Sequence, residues 1–95
     1  MNSLDALGNP VRRKILLELR HAPLPVGALA DRFAVSRPAI SRHLRVLQDA
    51  GLVDFHKNGT QNLYAIRVQG FRAVREFIDE FWDVALARLE KLADQ

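Results

Sequence analysis

Between residues 36 and 50, arginine and serine side chains recur at spacings that place them on one side of a helix. The residues on that side are Arg37, Pro38, Ser41, Arg42 and Arg45. Guanidinium groups bind phosphate oxygens and the edge of guanine, and hydroxyl groups hydrogen-bond to either. The pattern therefore predicts a short cationic surface that contacts nucleic acid.

The helix that carries this surface is well delimited in the sequence. Ser36 is a suitable N-cap, and Pro38 falls in the first turn, where its missing N–H costs little. The opposite side is apolar and must be buried; it consists of Ile40, Leu44 and Leu47. Gly51 follows where the apolar period ends, as a residue in the left-handed conformation would. A short amphipathic helix with a cationic outer side is typical of a recognition helix in the DNA major groove.

A shorter helix precedes this one, so residues 26–50 are predicted to form a helix-turn-helix unit. Ala30 is small and stands where the two helices must approach each other closely. The remaining apolar wall is expected to come from Leu29, Phe33 and Val35. Ala34 lies in the turn, where many such units have glycine, and this position therefore requires a φ angle that alanine tolerates.

A β-hairpin is predicted directly after the recognition helix, over residues 52–68. Asn58-Gly59 is a strong hairpin signal because both residue types tolerate positive φ. Leu63 and Ala65, together with a register change near Ile66, are expected to decide which face of the return strand is buried. A hairpin at this place is the wing of a winged helix. Its tip would present Lys57, Asn58, Thr60 and Gln61 to phosphates or to the minor groove.

Two helices are predicted before the helix-turn-helix unit. Ser3 is expected to cap a first helix over residues 4–7. Asn9 and Pro10 start a second helix that runs to about Arg20. The inward stripe of this second helix consists of Val11, Ile15 and Leu19, widened by Leu16 or Leu17.

A long C-terminal helix is predicted over residues 71–93, after Gly70. One row of apolar residues at three- and four-residue steps contains Phe71, Val74, Ile78, Phe81, Ala85 and Leu92. Further apolar residues, among them Trp82 and Leu89, fall outside this row. An apolar arc of this width exceeds one contact surface, so one side is expected to cover its own domain and another to face a partner.

Length, charge and composition set the broad class. The chain of 95 residues is expected to form a single domain, 1–95. Residues 1–67 carry a net charge of +5 and residues 68–95 a net charge of −2, so the basic charge lies with the predicted DNA-binding unit. There are no cysteines, which excludes disulfides and thiolate metal sites. No stretch has the length of a membrane span or the apolar core of a signal peptide, and a cytoplasmic protein is predicted.

An enzymatic function is not predicted, and no cofactor is expected. Ser41 and His43 are two positions apart on a helix, so their side chains diverge and cannot form a nucleophile–base pair. Asp54 and His56 share a strand face but have no nucleophile beside them. His43 is expected to pack or to contact a phosphate. The alternative function is a winged helix that binds proteins, which has no need of arginines concentrated on an exposed face.

Three stretches of the chain resemble the ArsR family of bacterial winged-helix repressors: NPVRRKILLELR, VGALADRFAVSRPAISRHLRVLQDAGLV and HKNGTQNLYAI. The resemblance implies a mostly α-helical winged helix-turn-helix fold with a small β-hairpin. It also implies a homodimer built through the first and last helices, a palindromic DNA operator and repression of transcription. The DNA contacts expected by this resemblance are Ser36, Arg37, Pro38, Ser41, Arg42 and Arg45, with His43 beside them. The expected dimer contacts are Leu4, Leu7, Phe71, Val74, Ile78, Phe81, Trp82, Ala85 and Leu89.

The chain departs from the family in its potential metal ligands. Many relatives sense metals through cysteines near the recognition helix, and this chain has none. Others bind zinc through histidines and carboxylates of the last helix, but the final histidine here is His56. Asp79 and Asp83 lie one turn apart, and a site made only of carboxylates suits zinc poorly. No metal site is therefore predicted, and a repressor that responds to a metal or small molecule through a different site remains the other alternative.

Overall fold

Helices and a small antiparallel sheet make up residues 1–94, the part of the chain that the computed structural model describes. The elements in chain order are α1 (Ser3–Ala6), α2 (Pro10–Leu19), β1 (Leu24–Pro25), α3 (Val26–Ala30), α4 (Arg37–Asp49), β2 (Val53–Asn58), β3 (Gln61–Ile66), a 3₁₀ turn (Val68–Phe71) and α5 (Arg72–Ala93). The mostly α-helical winged helix-turn-helix fold expected from the sequence is confirmed.

The core lies where α2, α3 and α4 meet the base of the sheet. Its fully buried side chains are Ile15, Leu29, Ile40, Leu44, Leu47, Leu52 and Val53. The predicted apolar stripe of α4 is therefore confirmed. In α2, Leu16 widens the stripe, whereas Leu17 is 53% exposed. Val35 was expected in the apolar wall and is 40% exposed, because it follows the turn on the outer side of the core.

Side-chain caps fix where the N-terminal helices and α4 begin. The Oδ1 atom of Asn9 accepts hydrogen bonds from the backbone N–H groups of Val11 and Arg12 at 2.8 and 3.1 Å, and Pro10 occupies the first turn as predicted. The expected cap of α1 was wrong by one residue: Asn2, not Ser3, accepts from the N–H of Asp5. The Oγ atom of Ser36 caps α4 by accepting from Ala39 at 3.3 Å.

The sheet has three strands in the order β1-β3-β2, one more than the predicted hairpin. Leu24 and Pro25 of β1 pair with Tyr64 and Leu63 of β3. The face of β3 that packs against the core carries Tyr64 and Ile66, and not Leu63 and Ala65. The reason is the register with β1 and β2, which a single hairpin could not have fixed.

The hairpin turn also differs from the sequence prediction by one residue. Asn58 pairs with Gln61, so Gly59 and Thr60 are the two central residues. Gly59 has φ 66°, and no residue other than glycine has a positive φ in residues 1–94. A glycine at the first central position alone is the signature of a type II′ turn. The same observation shows that Ala34 lies in the helix-helix turn without the left-handed conformation.

Two glycines allow the end of α4 to contact the start of the C-terminal segment. Gly51 follows α4 with φ 79°, as predicted, and the chain enters β2 from there. Gly70 lies so close to the carbonyl group of Gly51 that a Cβ atom on Gly70 would overlap its oxygen. This backbone contact sets the point at which α5 leaves the core.

Helix α5 projects beyond the other elements. With α5 included, the molecule measures 62 Å along its longest axis and 26 and 24 Å along the other two. Val74, at 8% exposure, is the buried residue of α5, and a contact of this residue with a partner stays a prediction. The large apolar residues further along are 40–63% exposed: Phe77, Ile78, Phe81, Trp82, Val84, Leu86, Leu89 and Leu92. No helix within residues 1–94 is both long and apolar enough to cross a bilayer.

Candidate nucleic-acid interface

Helix α4 presents the predicted cationic side to solvent. Burial of Ile40, Leu44 and Leu47 fixes the rotation of the helix, so the opposite side must face outward. The residues exposed there are Arg37, Pro38, Ser41, Arg42 and Arg45. The long cationic side chains of this surface, here called the α4 face, are therefore exposed to solvent.

The wing lies beside the start of the α4 face. A cleft between α3 and the hairpin is lined by Gly27, Arg37, Thr60 and Gln61, among others. The guanidinium group of Arg37 lies against the backbone of α3, with its Nη1 atom 3.6 Å from the position that a Cβ atom on Gly27 would take. Two of the four residues predicted at the wing tip, Thr60 and Gln61, thus share a cleft with an arginine of α4.

A second cleft lies between the later turns of α4 and the face of the sheet that carries Tyr64. Ser41, Arg42 and Arg45 line one side, and the rings of Phe55 and Tyr64 line the other. The two rings are a cross-strand pair with centroids 5.5 Å apart. This cleft therefore combines polar and charged groups of α4 with an aromatic wall.

The remaining predicted DNA contacts lie outside these two clefts. Lys57 and Asn58 are exposed at the end of β2. Ser36 is exposed at the start of α4, where its hydroxyl oxygen is occupied as the helix cap. His43 is only partly exposed and lies on the flank of α4, away from Ser41 and Arg45.

Acidic groups near the α4 face are few. The Nε atom of Arg45 lies 3.9 Å from Oδ1 of Asp49. Within residues 1–94, Arg37 and Arg42 have no carboxylate within 4.0 Å. Unpaired guanidinium groups on an exposed helix favour association with a polyanion, because binding releases counterions from the polyanion.

Three consecutive basic residues at the start of α2, Arg12 to Lys14, have a structural role. The Nε atom of Arg12 donates to the carbonyl oxygen of Ala6 at 2.7 Å, and Arg13 donates to that of Leu7 at 2.8 Å. Lys14 lies over the ring of Phe33, 5.1 Å from its centroid. Two of these cations therefore satisfy carbonyl groups at the end of α1, where a cation is favourable.

The environment of His43 favours the neutral form of its imidazole. Partial burial lowers the pKa of His43 below its ordinary value of 6.5, and the positive charges of Arg12 and Arg42 lower this pKa further. A neutral imidazole adds no charge to the α4 face near neutral pH.

Comparison with known proteins places this geometry in a family. A family model described as a helix-turn-helix domain matches residues 7–54. The HTH-type transcriptional regulator Rv2034 of Mycobacterium tuberculosis is 44% identical over 90 residues, which span 95% of this chain and 84% of that protein. The transcriptional repressor SdpR of Bacillus subtilis is 35% identical over 65 residues, which span 68% of this chain and 72% of SdpR.

Solved structures agree with this result. A crystal structure of a possible transcriptional regulator for arsenical resistance matches 100% of this chain and 97% of its own, with a TM-score of 0.82 and 39% identity. The homodimeric winged helix-turn-helix DNA-binding domain Mb0332 of Mycobacterium bovis, a possible ArsR-family regulator, matches 80% of this chain and 74% of its own, with a TM-score of 0.66 and 30% identity. The chain belongs to the ArsR family. It is therefore a DNA-binding transcriptional regulator and not an enzyme.

The ArsR-family chain has four residues at the second cleft that sequence analysis missed: Gln48, Asp49, Phe55 and Tyr64. Gln48 lies two turns after Ser41 and one turn after Arg45, so helical spacing could have found it. Phe55 and Tyr64 could have been found only with the register of the hairpin, because they lie opposite each other on different strands.

Residues with catalytic or metal-binding chemistry stay dispersed in this ArsR-family chain. His56 Nε2 lies 3.8 Å from Oδ1 of Asp54, and both side chains are largely exposed. Residues 1–94 contain no group of three or more histidine, aspartate or glutamate side chains placed to hold a metal ion.

Proposed function

We propose that this regulator is a repressor that binds a palindromic operator as a homodimer. Helix α4 enters the major groove, and the wing tip contacts the flanking phosphates or the minor groove. The observation that carries the proposal is the exposed α4 face, with Arg37 beside the wing tip and with Arg42 and Arg45 beside Phe55 and Tyr64. A DNA-binding regulator of this kind acts in the cytoplasm, in agreement with the absence of cysteines from the sequence.

The chemistry of the two clefts supports different contacts. Arg42 and Arg45 can reach base edges, where an arginine pairs with guanine through two hydrogen bonds. Phe55 and Tyr64 offer apolar contact to a thymine methyl group or a deoxyribose. Arg37, Thr60 and Gln61 form a polar cleft at the edge of the surface, which suits a backbone phosphate.

The dimer is supported by the apolar side of α5. Phe81 and Trp82 are 58% and 55% exposed in the single chain, and their rings lie 6.4 Å apart. An unbroken row of exposed apolar residues on a helix marks a protein interface. Mb0332, which has the same fold, is described as a homodimer. A twofold dimer places two α4 helices about 34 Å apart, which requires a palindromic site.

Repression is supported by relatives and by size. SdpR is named a transcriptional repressor. A dimer of this size that covers two adjacent major grooves blocks access of other proteins to the same DNA. No inducer is assigned.

Fluorescence anisotropy with DNA from upstream of the gene tests the proposal. We expect tight binding with two protomers per site, and much weaker binding to a scrambled duplex. Affinity should fall steeply as salt is raised, because each phosphate contact contributes about 0.9 to the slope of log K against log salt. Equal, weak binding to both duplexes would contradict the proposal and favour the protein-binding alternative.

The double variant Arg42→Gln/Arg45→Gln separates base contacts from phosphate contacts. A lost base contact reduces the preference for the operator, by about 1–3 kcal/mol for each arginine. A lost phosphate contact reduces the salt slope and leaves the preference unchanged. The matched control Arg72→Gln/Lys91→Gln removes two exposed cations from α5 and should leave both quantities as in the wild type. Unchanged affinity in a folded Arg42/Arg45 variant would contradict the proposed role of the α4 face.

A further inference from the structure

An apolar groove lies on the side of the molecule formed by α2, the end of β3 and the 3₁₀ turn. Its volume is about 560 Å³, and its walls include Leu17, Val68 and Phe71. Leu17 and Val68 are 53% and 78% exposed in the single chain. Leu17 and Val68 belong neither to the two clefts nor to the core. A surface this apolar is costly to leave in water.

Two arginines border the groove. Arg13 and Arg20 lie two turns apart on α2, and both line it. Arg13 is held by the carbonyl oxygen of Leu7, and Arg20 donates to His21 at 3.1 Å. Within residues 1–94 neither has a carboxylate partner within 4.0 Å. The groove therefore suits an apolar occupant that carries negative charge along one edge.

The last three turns of α5 have this composition. Leu86, Leu89 and Ala93 recur at three- and four-residue steps and share one side of the helix. Glu90 and Asp94 follow Leu86 at four-residue steps, so two carboxylates lie along one edge of that side. Leu86 and Leu89 are 40% and 61% exposed in the single chain.

Helix length makes the contact possible between two copies. Helix α5 has 22 residues and is therefore about 33 Å long. If two copies of α5 lie antiparallel, the end of one helix reaches the start of the other. The start of α5 follows Phe71, which is itself a wall of the groove. The groove is thus continuous with the proposed dimer interface.

We propose that the last three turns of α5 from a second copy of this chain lie in the groove of the first, with Leu86 and Leu89 against Leu17 and Val68. This inference rests on the proposed homodimer and extends its interface from the first and last helices to α2. Glu90 and Asp94 then lie near Arg13 and Arg20 of the other copy. Because the inner side of α2 packs in the same core as Ile40 and Leu44, the contact also supports α4 from behind.

Cysteine crosslinking tests the inference, because the chain has no cysteine of its own. A Leu17→Cys chain is mixed with a differently tagged Leu86→Cys chain, and a short thiol-specific crosslinker is added after subunit exchange. Two single-cysteine chains cannot crosslink internally, so a mixed product reports contact between copies. Thiols held together in a complex react as if at millimolar concentration, about a thousandfold above micromolar bulk solution. We expect the mixed product to form at least about tenfold faster than with a Lys91→Cys chain.

Lys91 is the matched control because it lies in the same turns as Leu86 and Leu89 but on the other side of the helix. Leu89→Cys should crosslink like Leu86→Cys.

Light scattering on the same samples reports whether dimers are present. A dimer in which Leu17→Cys crosslinks no faster with Leu86→Cys than with Lys91→Cys would overturn the inference and leave the proposed dimer intact. A dimer whose Leu17→Cys thiol reacts with a monofunctional maleimide as fast as a free thiol would overturn it equally, and would leave the groove to a small amphipathic anion. A wild-type monomer would overturn both proposals.

Discussion

The Nε atom of Arg45 lies 3.9 Å from Oδ1 of Asp49, one turn later on α4, and both side chains are largely exposed. The pair places a carboxylate on the side of α4 that the proposed function directs toward DNA. A carboxylate there repels phosphates and competes with them for the guanidinium group of Arg45. If α4 binds DNA as proposed, Asp49 opposes binding, and its removal should strengthen the complex.

The first prediction concerns Asp49→Asn. Exposed ion pairs of this kind contribute about 0.2–1 kcal/mol, so the dissociation constant for operator DNA should fall by a factor of about 1.4 to 5. Anisotropy titrations at low and moderate salt measure the change. Asp79→Asn is the matched control, because Asp79 pairs with Arg75 at 3.7 Å in the same spacing on α5. An equal effect of both variants would show that net charge alone is responsible.

The second prediction concerns the contact between Gly70 and Gly51. Gly70→Ala adds a Cβ atom that overlaps the carbonyl oxygen of Gly51, so the start of α5 or the end of α4 must move. We expect a loss of about 1–3 kcal/mol or more in the free energy of unfolding, measured by urea denaturation. Gly27→Ala is the control: its Cβ atom would lie 3.6 Å from Arg37, and alanine favours a helix. A Gly70→Ala variant as stable as Gly27→Ala would contradict this account.

The third prediction concerns pH and His43. Its pKa is lowered in the folded chain, first by burial and then by Arg12 and Arg42, so the unfolded chain takes up this proton more readily. Stability is therefore lost as pH falls through the ordinary value of 6.5 and below it, and is unaffected well above it. His43→Gln should lose less stability than the wild type when thermal unfolding is followed from about pH 8 to about pH 5. His21→Gln, which removes an exposed histidine, shows the effect of losing a histidine elsewhere. Parallel curves for wild type and His43→Gln would refute the prediction.

The fourth prediction concerns the apolar side of α5. Phe81→Glu, or a charged residue at Ile78, places a carboxylate in the proposed dimer interface, where loss of hydration is not compensated. We expect the dimer dissociation constant to rise by at least about thirtyfold, equivalent to about 2 kcal/mol. Each monomer should stay folded, because both residues are more than half exposed in the single chain. Sedimentation measures the dissociation constant, and circular dichroism checks the fold. Ala87→Glu adds the same charge at an exposed position that is not in the apolar row, and should leave the dimer unchanged.

The sequence predicted α4 closely because several local signals agree there. The Ser36 cap, the stripe of Ile40, Leu44 and Leu47, and Gly51 after the last turn each depend only on neighbouring residues. The exposed arginines follow from the same helical period. These features carry the candidate site, so most of the α4 face could be predicted without tertiary structure.

The errors occur where a distant element decides. Leu24 and Pro25 have no strand pattern of their own, and only pairing with β3 makes them a strand. That pairing in turn helps determine that Tyr64 and Ile66 pack against the core. Phe55 and Tyr64 both line the second cleft because the register of β2 with β3 places them opposite each other. Asn2 and Ser3 are both good caps, and sequence alone could not decide between them.

The order of strands has a consequence for behaviour at high concentration. Strands β1 and β2 form the two edges of the sheet, and an open edge invites pairing with another molecule. One edge is two residues long and includes Pro25, which has no N–H to offer. The other carries Asp54, His56 and Lys57, whose polar side chains disfavour stacking of strands. The sheet is therefore protected against edge-to-edge aggregation. Even where many copies bind neighbouring DNA sites, the wing of each copy stays available to contact DNA.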